Sequence, residues 1–263
     1  MRVISADLLA LPALTDLFNA GFSDYIVPMR LHEPGFRDHL ANNDIDPACS
    51  PVVVEEEPVA FALVGLRGKE AWIGGMGTVP ERRRRGLGEK ALVAAIEAAR
   101  ARGAASIWLE VIEGNRSARR LYEKLGFELV RDLIVWSLPA GGDAAPASRP
   151  LAVEEAQEWI ARHRTSREPW QRSDSALRRM AGLRALMVER QGVVIYRPAD
   201  ASVTALQVAG PDEEAIAAAL LAAQGGTREL RLANVPADGP ASTALERLGA
   251  RPVVRQHEMR LAL

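Results

Sequence analysis

The run Thr78-Val79-Pro80-Glu81-Arg82-Arg83-Arg84-Arg85-Gly86-Leu87-Gly88 constrains this chain more than any other stretch. An apolar, glycine-containing segment over 71–78 precedes it and reads as a strand. After it, Leu87, Ala91, Leu92, Ala95, Ile96 and Ala99 recur at helical spacing until Gly103 ends the pattern. The Arg/Gly cluster is therefore expected at a strand-to-helix turn, where free backbone N–H groups and the helix dipole attract a diphosphate. Gly86 and Gly88 allow the backbone to approach such a ligand.

A second element follows one strand later. Residues 107–111 read as a buried strand, with Ile107, Leu109 and Val111 on one face and Trp108, Glu110 and Ile112 on the other. Then comes Asn115-Arg116-Ser117-Ala118-Arg119-Arg120-Leu121-Tyr122-Glu123-Lys124-Leu125-Gly126-Phe127, in which Ala118, Leu121, Tyr122 and Leu125 repeat at i, i+3, i+4 and i+7. Gly126 closes this helix before a strand over 128–138. Upstream, a helix is expected through Leu8, Leu11, Leu14, Leu17 and Phe18, a loop over 21–28, a short helix over 34–42, and strands over 51–55, 59–66 and 71–78. The glycines of Gly74-Gly75-Met76-Gly77 weaken a strand unless a bulge or a close backbone approach requires them.

Together, and in this order, the two elements resemble the GNAT superfamily of acetyl-CoA-dependent N-acetyltransferases. Its signature, Q/R-x-x-G-x-G/A after a V-x-P strand end and then N-x-x-A-x-x-L-Y-E-K-x-G-F, is similar to Arg83-x-x-Gly86-x-Gly88 and to the run from Asn115 to Phe127. Thr78 stands where valine is usual. Gly86-x-Gly88-x-x-Ala91 also fits a dinucleotide fingerprint, with Glu110 about twenty residues on. Three preceding strands, four arginines and the asparagine-to-tyrosine element weigh against that reading.

The resemblance implies acetyl-CoA as co-substrate and a primary amine, on a small molecule or a peptide, as acceptor. Backbone amides from Arg84, Arg85, Gly86, Leu87, Gly88 and Glu89 would hold the diphosphate, with Arg83 and whichever other arginines face the groove in support. Met76, Gly77 and Thr78 would run beside the pantetheine arm and supply an oxyanion donor. Tyr122 would protonate the departing thiolate, and Asn115 would contact the arm while capping its helix. Glu110, twelve residues before Tyr122 as in the family's ribosomal-protein N-terminal alanine acetyltransferases, is the candidate base, with a structural ion pair as the other reading. The acceptor is expected over the loop carrying Asp24 and Tyr25, where the carboxylate would hold a cationic amine. A non-catalytic acyl-CoA-binding regulatory module is the alternative of another class.

Composition bounds the rest. The chain has 263 residues, enough for two modest α/β domains. The formal net charge of -1 argues against general binding to nucleic acid or a membrane surface. A single cysteine, Cys49, allows no internal disulfide and no cysteine-based zinc site. His32, His39, His163 and His257 lack ligand spacing, so no metal is expected. With no signal peptide and no run of about 18 apolar residues, a cytoplasmic location is expected.

The breaker-rich stretch over 139–150 reads as a linker between an active domain at 1–138 and a second at 151–263. A constant offset of 123 pairs Gly103 with Gly226, Leu109 with Leu232 and the segment 121–127 with 244–250. The same offset sets Leu206, Ala209, Pro211, Ala233 and Leu245 against Arg83, Gly86, Gly88, Glu110 and Tyr122, which marks the second domain as degenerate. Each domain is expected to be a mixed, mostly antiparallel sheet flanked by helices. Whether the second shapes the acceptor cleft or makes a homodimer contact is left open.

Overall fold

Leu14, Leu17, Phe18 and Gly21 fall at i, i+3, i+4 and i+7, and they line the buried face of helix α1 (Leu11–Gly21). The structure is a computed structural model and describes residues 1–27, 29–141 and 145–263; part of the expected linker, 142–144, lies outside the described residues. Leu8 does not join the helix. It is exposed in a short 3-10 turn, and the four residues before that turn form strand β1 (Arg2–Ser5), which was not expected. Val3 and Ile4 suit a strand, and β2 (Pro51–Val54) offers an antiparallel partner that one-dimensional periodicity does not reveal.

The chain divides into two units, residues 1–130 with 257–263, and residues 131–256. In the first, β1, β2, β3 (Pro58–Arg67) and β4 (Glu70–Thr78) pair antiparallel in sequence order, and β5 (Ser106–Ile112) joins β4 in parallel. Helix α3 (Leu87–Ala101) packs Leu87, Ala91, Leu92, Ala95, Ile96 and Ala99 against one face of this sheet. On the other face, α1 and α2 (Glu33–Asn42) gather an aromatic cluster. The Phe18 ring lies 4.7 Å from Phe22, 5.1 Å from Phe36 and 5.8 Å from Phe61, and each buried ring contributes about 1.5–3 kcal/mol. Helix α4 (Arg116–Lys124) follows β5, and Gly126, at φ 90°, turns the chain out of it.

Strand β6 (Glu128–Leu138) gives its residues 131–138 to the second unit. There the order is β7 (Ser148–Leu151), α5 (Val153–His163), α6 (Asp174–Leu177), β8 (Arg184–Val188), β9 (Val193–Pro198), β10 (Ser202–Ala209), α7 (Glu213–Gln224), β11 (Glu229–Pro236), α8 (Pro240–Arg247) and β12 (Arg251–Ala262). Its sheet runs β6, β11, β10, β9, β8, β7, antiparallel except for the β10/β11 pair. Both units therefore share one plan, in which consecutive antiparallel strands lead to a parallel pair, β4 with β5 and β10 with β11.

Three boundaries differ from the sequence expectation, the first at residues 131–138, which were expected in the first domain and belong to the second unit. The end of the expected linker, 148–150, belongs to β7, paired with β8. The last seven residues, 257–263, belong to the first unit, where β12 lies beside β5 and Leu263 N–H bonds Ala105 O at 3.0 Å. Alternation marks a strand but not its neighbour, so the exchange of terminal strands leaves no local trace.

Candidate active site

β4 and β5 pair at only three positions, Glu70 with Ser106, Ala71 with Ile107 and Trp72 with Trp108. Beyond Trp72, β4 runs on to Thr78 and β5 to Ile112 without pairing to each other. The cause is local. The β3/β4 register shifts between Leu63 and Val64, which leaves Gly74 as the extra residue of a bulge, and a bulge bends and twists its strand. Only glycine fits there, because a Cβ on Gly74 would stand 2.5 Å from the Trp72 ring and 2.7 Å from Ile45. His39 fixes the bulge through Nε2, 2.9 Å from the Gly74 carbonyl oxygen. The close approach expected of the glycines is also present: a Cβ on Gly77 would lie 3.1 Å from the Gly21 Cα and 3.0 Å from the Phe61 ring.

The open edge of β4 leads into the arginine-rich bend. A 3-10 turn (Pro80–Arg82) closes on Arg82 N–H to Val79 O, and Gly86, at φ 76°, starts α3 without any side-chain cap. The first-turn N–H groups of a helix have no intrahelical partner, and here no side chain substitutes. Nothing lies within 4 Å of a Cβ built on Gly86, so the approach to these amides is clear. Gly88 packs beside Thr78 Oγ1 and the Met76 methyl, which ties the bend to the end of β4. Arg82 and Arg85 share Glu55 at 3.2 and 3.1 Å, while Arg84, at φ 58°, is exposed.

At the end of β5, Asn115 caps α4 through Oδ1, which accepts from Ala118 N–H at 3.2 Å. The Tyr25 phenol bonds the Asn115 side chain, and burial pushes it above the usual tyrosine range. Tyr122 is only 5% exposed, against Phe127 at 5.9 Å. Burial raises its phenol far above the ordinary value and the neighbouring Tyr25 adds to the rise, so the ring carries its proton at neutral pH. The structure thus brings Tyr25, remote in sequence, to Asn115 and Tyr122, which share α4 as its cap and its buried ring.

Glu110 sits one turn of the pleat beyond the last parallel pair and accepts from Trp72 Nε1 at 2.8 Å. Trp108 Nε1 donates to Glu70 at 3.1 Å, so the two tryptophans and two glutamates form reciprocal cross-strand bonds on one face. Ile107, Leu109 and Val111 fill the core on the opposite face, as alternation requires. Sequence reasoning missed Trp72. Its period-2 relation to Gly74 and Met76 was legible, but its pairing with Trp108 depends on sheet register.

Asp24 is engaged. Its carboxylate takes both Arg83 Nη atoms, at 2.6 and 2.5 Å, and this bond holds it below the usual aspartate range. The lone thiol, Cys49, is buried against α3, facing Ala98 O at 3.6 Å. Among the described residues no cluster of three or more His, Cys, Asp or Glu could hold a metal ion.

In the second unit, sheet register corrects the repeat. Glu70 pairs with Ser106 and Ser202 with Glu229, so Glu70 corresponds to Ser202 and the offset there is 132, although it is 123 between Ser106 and Glu229. Leu206 and Ala209 thus lie within β10 and are not counterparts of Arg83 and Gly86. The true counterpart of the bend is residues 210–212, shorter than the connection over 79–86. There Asp212 caps α7 by accepting from Ala215 N–H at 2.7 Å, with Glu213 and Glu214 in the first turn. An anion meets blocked amides and negative charge. Past the last parallel pair, Arg172 Nη1 donates to Ala233 O at 2.7 Å, and Gln207 Nε2 donates to Arg172 O at 2.6 Å and Asp174 Oδ1 at 2.9 Å. The segment 168–174, which leads from the loop after α5 into the start of α6, therefore bonds both diverging strands.

The acetyltransferase (GNAT) family profile matches residues 11–127, the part of the chain that holds the parallel pair parting at a bulge and the uncapped helix start at the end of one strand. Both units carry this fold in tandem. Over 76 residues the chain is 36% identical to a ribosomal protein bS18-alanine N-acetyltransferase of Salmonella typhimurium, covering 29% of this chain and 51% of that protein. The chain spans about half the length of the curated relatives it matches. Among solved structures, a GCN5-related N-acetyltransferase of Sphaerobacter thermophilus aligns over 99% of this chain and 95% of its own at a TM-score of 0.72 and 18% identity. A tandem GNAT protein from the clavulanic acid biosynthesis pathway aligns over 99% and 98% at a TM-score of 0.65 and 15% identity. At such identities the structural likenesses show the fold alone.

Proposed function

We propose that the first unit transfers an acetyl group from acetyl-CoA to a primary amine by direct attack in a ternary complex. The observation that carries this reading is the divergence of β4 and β5 immediately before a helix whose first amides are uncapped. The bend fits a diphosphate: its amides are open, Gly86 leaves space, and Arg84 is exposed at the same turn. Backbone N–H groups alternate along a strand, so those of the stretch Met76 to Thr78 that do not face β3 point to the edge of β4 that β5 leaves and suit the thioester and its oxyanion.

In the reaction the amine lone pair attacks the thioester carbon, the C–S bond breaks, and an amide and free CoA thiol result. Glu110, held by the Trp72 indole, takes the amine proton directly or through water. Tyr122, a phenol that burial keeps protonated, gives its proton to the departing sulfur. No protein nucleophile takes part. The second unit is degenerate by this reading, because its helix start is capped by Asp212 and its diverging strands are bonded to segment 168–174.

The experiment is thiol release from acetyl-CoA across a panel of amines, including a peptide with a free N-terminal alanine. Turnover that Tyr122→Phe abolishes while CoA still binds supports the enzyme. CoA binding with no turnover on any amine would replace it with a non-catalytic acyl-CoA module.

A further inference from the structure

Arg83 occupies the signature position of the bend, yet its guanidinium faces the protein. Nε donates to Thr78 O at 3.1 Å, Nη1 to Asp24 Oδ2 at 2.6 Å, and Nη2 to Asp24 Oδ1 at 2.5 Å and Gly21 O at 3.3 Å. All three nitrogens are thus committed to acceptors on α1, the loop after it and the end of β4. A bidentate carboxylate fork fixes the orientation of the planar group. The loop that bears Asp24 is held at its other side as well. Tyr25 bonds Asn115, its ring meets Phe22 edge-on at 5.1 Å, and the Ile26 side chain lies where a Cβ on Gly114 would contact it at 3.5 Å. The segment 22–26 therefore runs from the bend that ends β4 to the turn that ends β5, across the exit of the diverging strands.

We propose that Arg83 is a positioning residue and not a phosphate ligand: with Asp24 it forms a strut that couples the occupancy of the bend to the placement of loop 22–27. This rests on the reading of the bend as the CoA site. A ligand that restrains the bend restrains Arg83, and Arg83 transmits that restraint to Asp24. By linkage, whatever fixes the loop then favours the ligand equally. Asp24, already neutralised by Arg83, does not select an acceptor by its charge. The phosphate-facing roles fall to the backbone amides and to Arg84.

Hydrogen exchange at residues 22–27, with CoA itself as the probe and calorimetry for its affinity, tests the strut in wild type and in Asp24→Asn. Without ligand, Asp24→Asn is expected to speed exchange in the loop about threefold, the scale of a lost exposed ion pair, while α3 exchanges as before. With CoA, the wild-type loop gains protection and the Asp24→Asn loop does not, although both bind CoA within about twofold of each other. Arg83→Lys, which keeps the charge but loses the fork, should behave as Asp24→Asn does. Loop exchange unchanged by Asp24→Asn would overturn the strut. So would a tighter CoA complex in Asp24→Asn, because it would mean that Asp24 had been holding Arg83 away from the phosphates. Should CoA fail to bind wild type, the reading of the bend falls, while the ligand-free comparison still decides whether the strut exists.

Discussion

Trp72 donates its indole N–H to Glu110 at 2.8 Å, from the last position at which β4 and β5 still pair. The bond places a carboxylate at the point where the strands part. Trp72→Phe removes the donor and keeps the ring. Turnover is expected to fall about tenfold, as for a lost hydrogen bond to a charged group, with CoA affinity retained. Glu110→Gln should cost about a hundredfold or more if the carboxylate takes the proton. Steady-state kinetics beside calorimetry separates the two effects, and undiminished turnover in Glu110→Gln would remove Glu110 from the mechanism.

Tyr122→Phe deletes a buried hydroxyl without opening a cavity of any size. A loss of about a hundredfold to a thousandfold in the rate constant is expected, with CoA binding intact. Because burial raises the phenol, its protonated form persists above the ordinary tyrosine range near pH 10, so the alkaline side of the rate profile should show no loss of this acid below about pH 10. A decline centred near pH 8 that Tyr122→Phe abolishes would contradict the assignment.

Calorimetric titration with CoA should give one site per chain. The α3 start is uncapped, whereas the α7 start is capped by Asp212 and carries Glu213 and Glu214. Two equivalent sites would show that the acidic cap does not exclude the ligand.

Gly77→Ala would push a methyl into Gly21 and Phe61, where only 3.0 to 3.1 Å is available. Denaturant unfolding should reveal a loss of about 1–3 kcal/mol, the range for overpacking in a rigid contact. A midpoint equal to wild type would mean that α1 can shift off β4 freely.

His39 is partly buried among Phe18, Phe36 and Trp72, and desolvation lowers its value, with the Gly74 carbonyl partly opposing. Its folded value lies below the unfolded one near 6.5, so its contribution to stability is present above about pH 6.5 and is lost as pH falls below it. The urea midpoint of wild type should therefore drop between about pH 7.5 and 5.5. His39→Gln, whose amide can still donate to Gly74, should drop less. Equal drops in the two proteins would count against the desolvated imidazole.

Much of the first unit was legible because its signals are local. The strands now seen as Pro58–Arg67 and Glu70–Thr78, the helix Leu87–Ala101 closed by Gly103, and the strand Glu128–Leu138 follow period, glycine position and β-branching. Asn115 caps its helix as its residue type favours. The Gly74 to Gly77 run announced both a bulge and a close approach, and both are present. What escaped depends on pairing between remote segments: the edge strand at Arg2–Ser5, the change of offset within the repeat, and the partner of Asp24.

The sequence by itself determined the elements from Pro58 to Leu138 and the glycine bend between them, since each is written in neighbours within a few positions. Tertiary structure alone decided that Trp72 meets Glu110, that Arg83 turns away to Asp24, and that residues 257–263 complete the first unit. Sheet register and terminal-strand exchange are set by burial summed over distant segments, and a single residue of slip would send every one of those side chains to the opposite face.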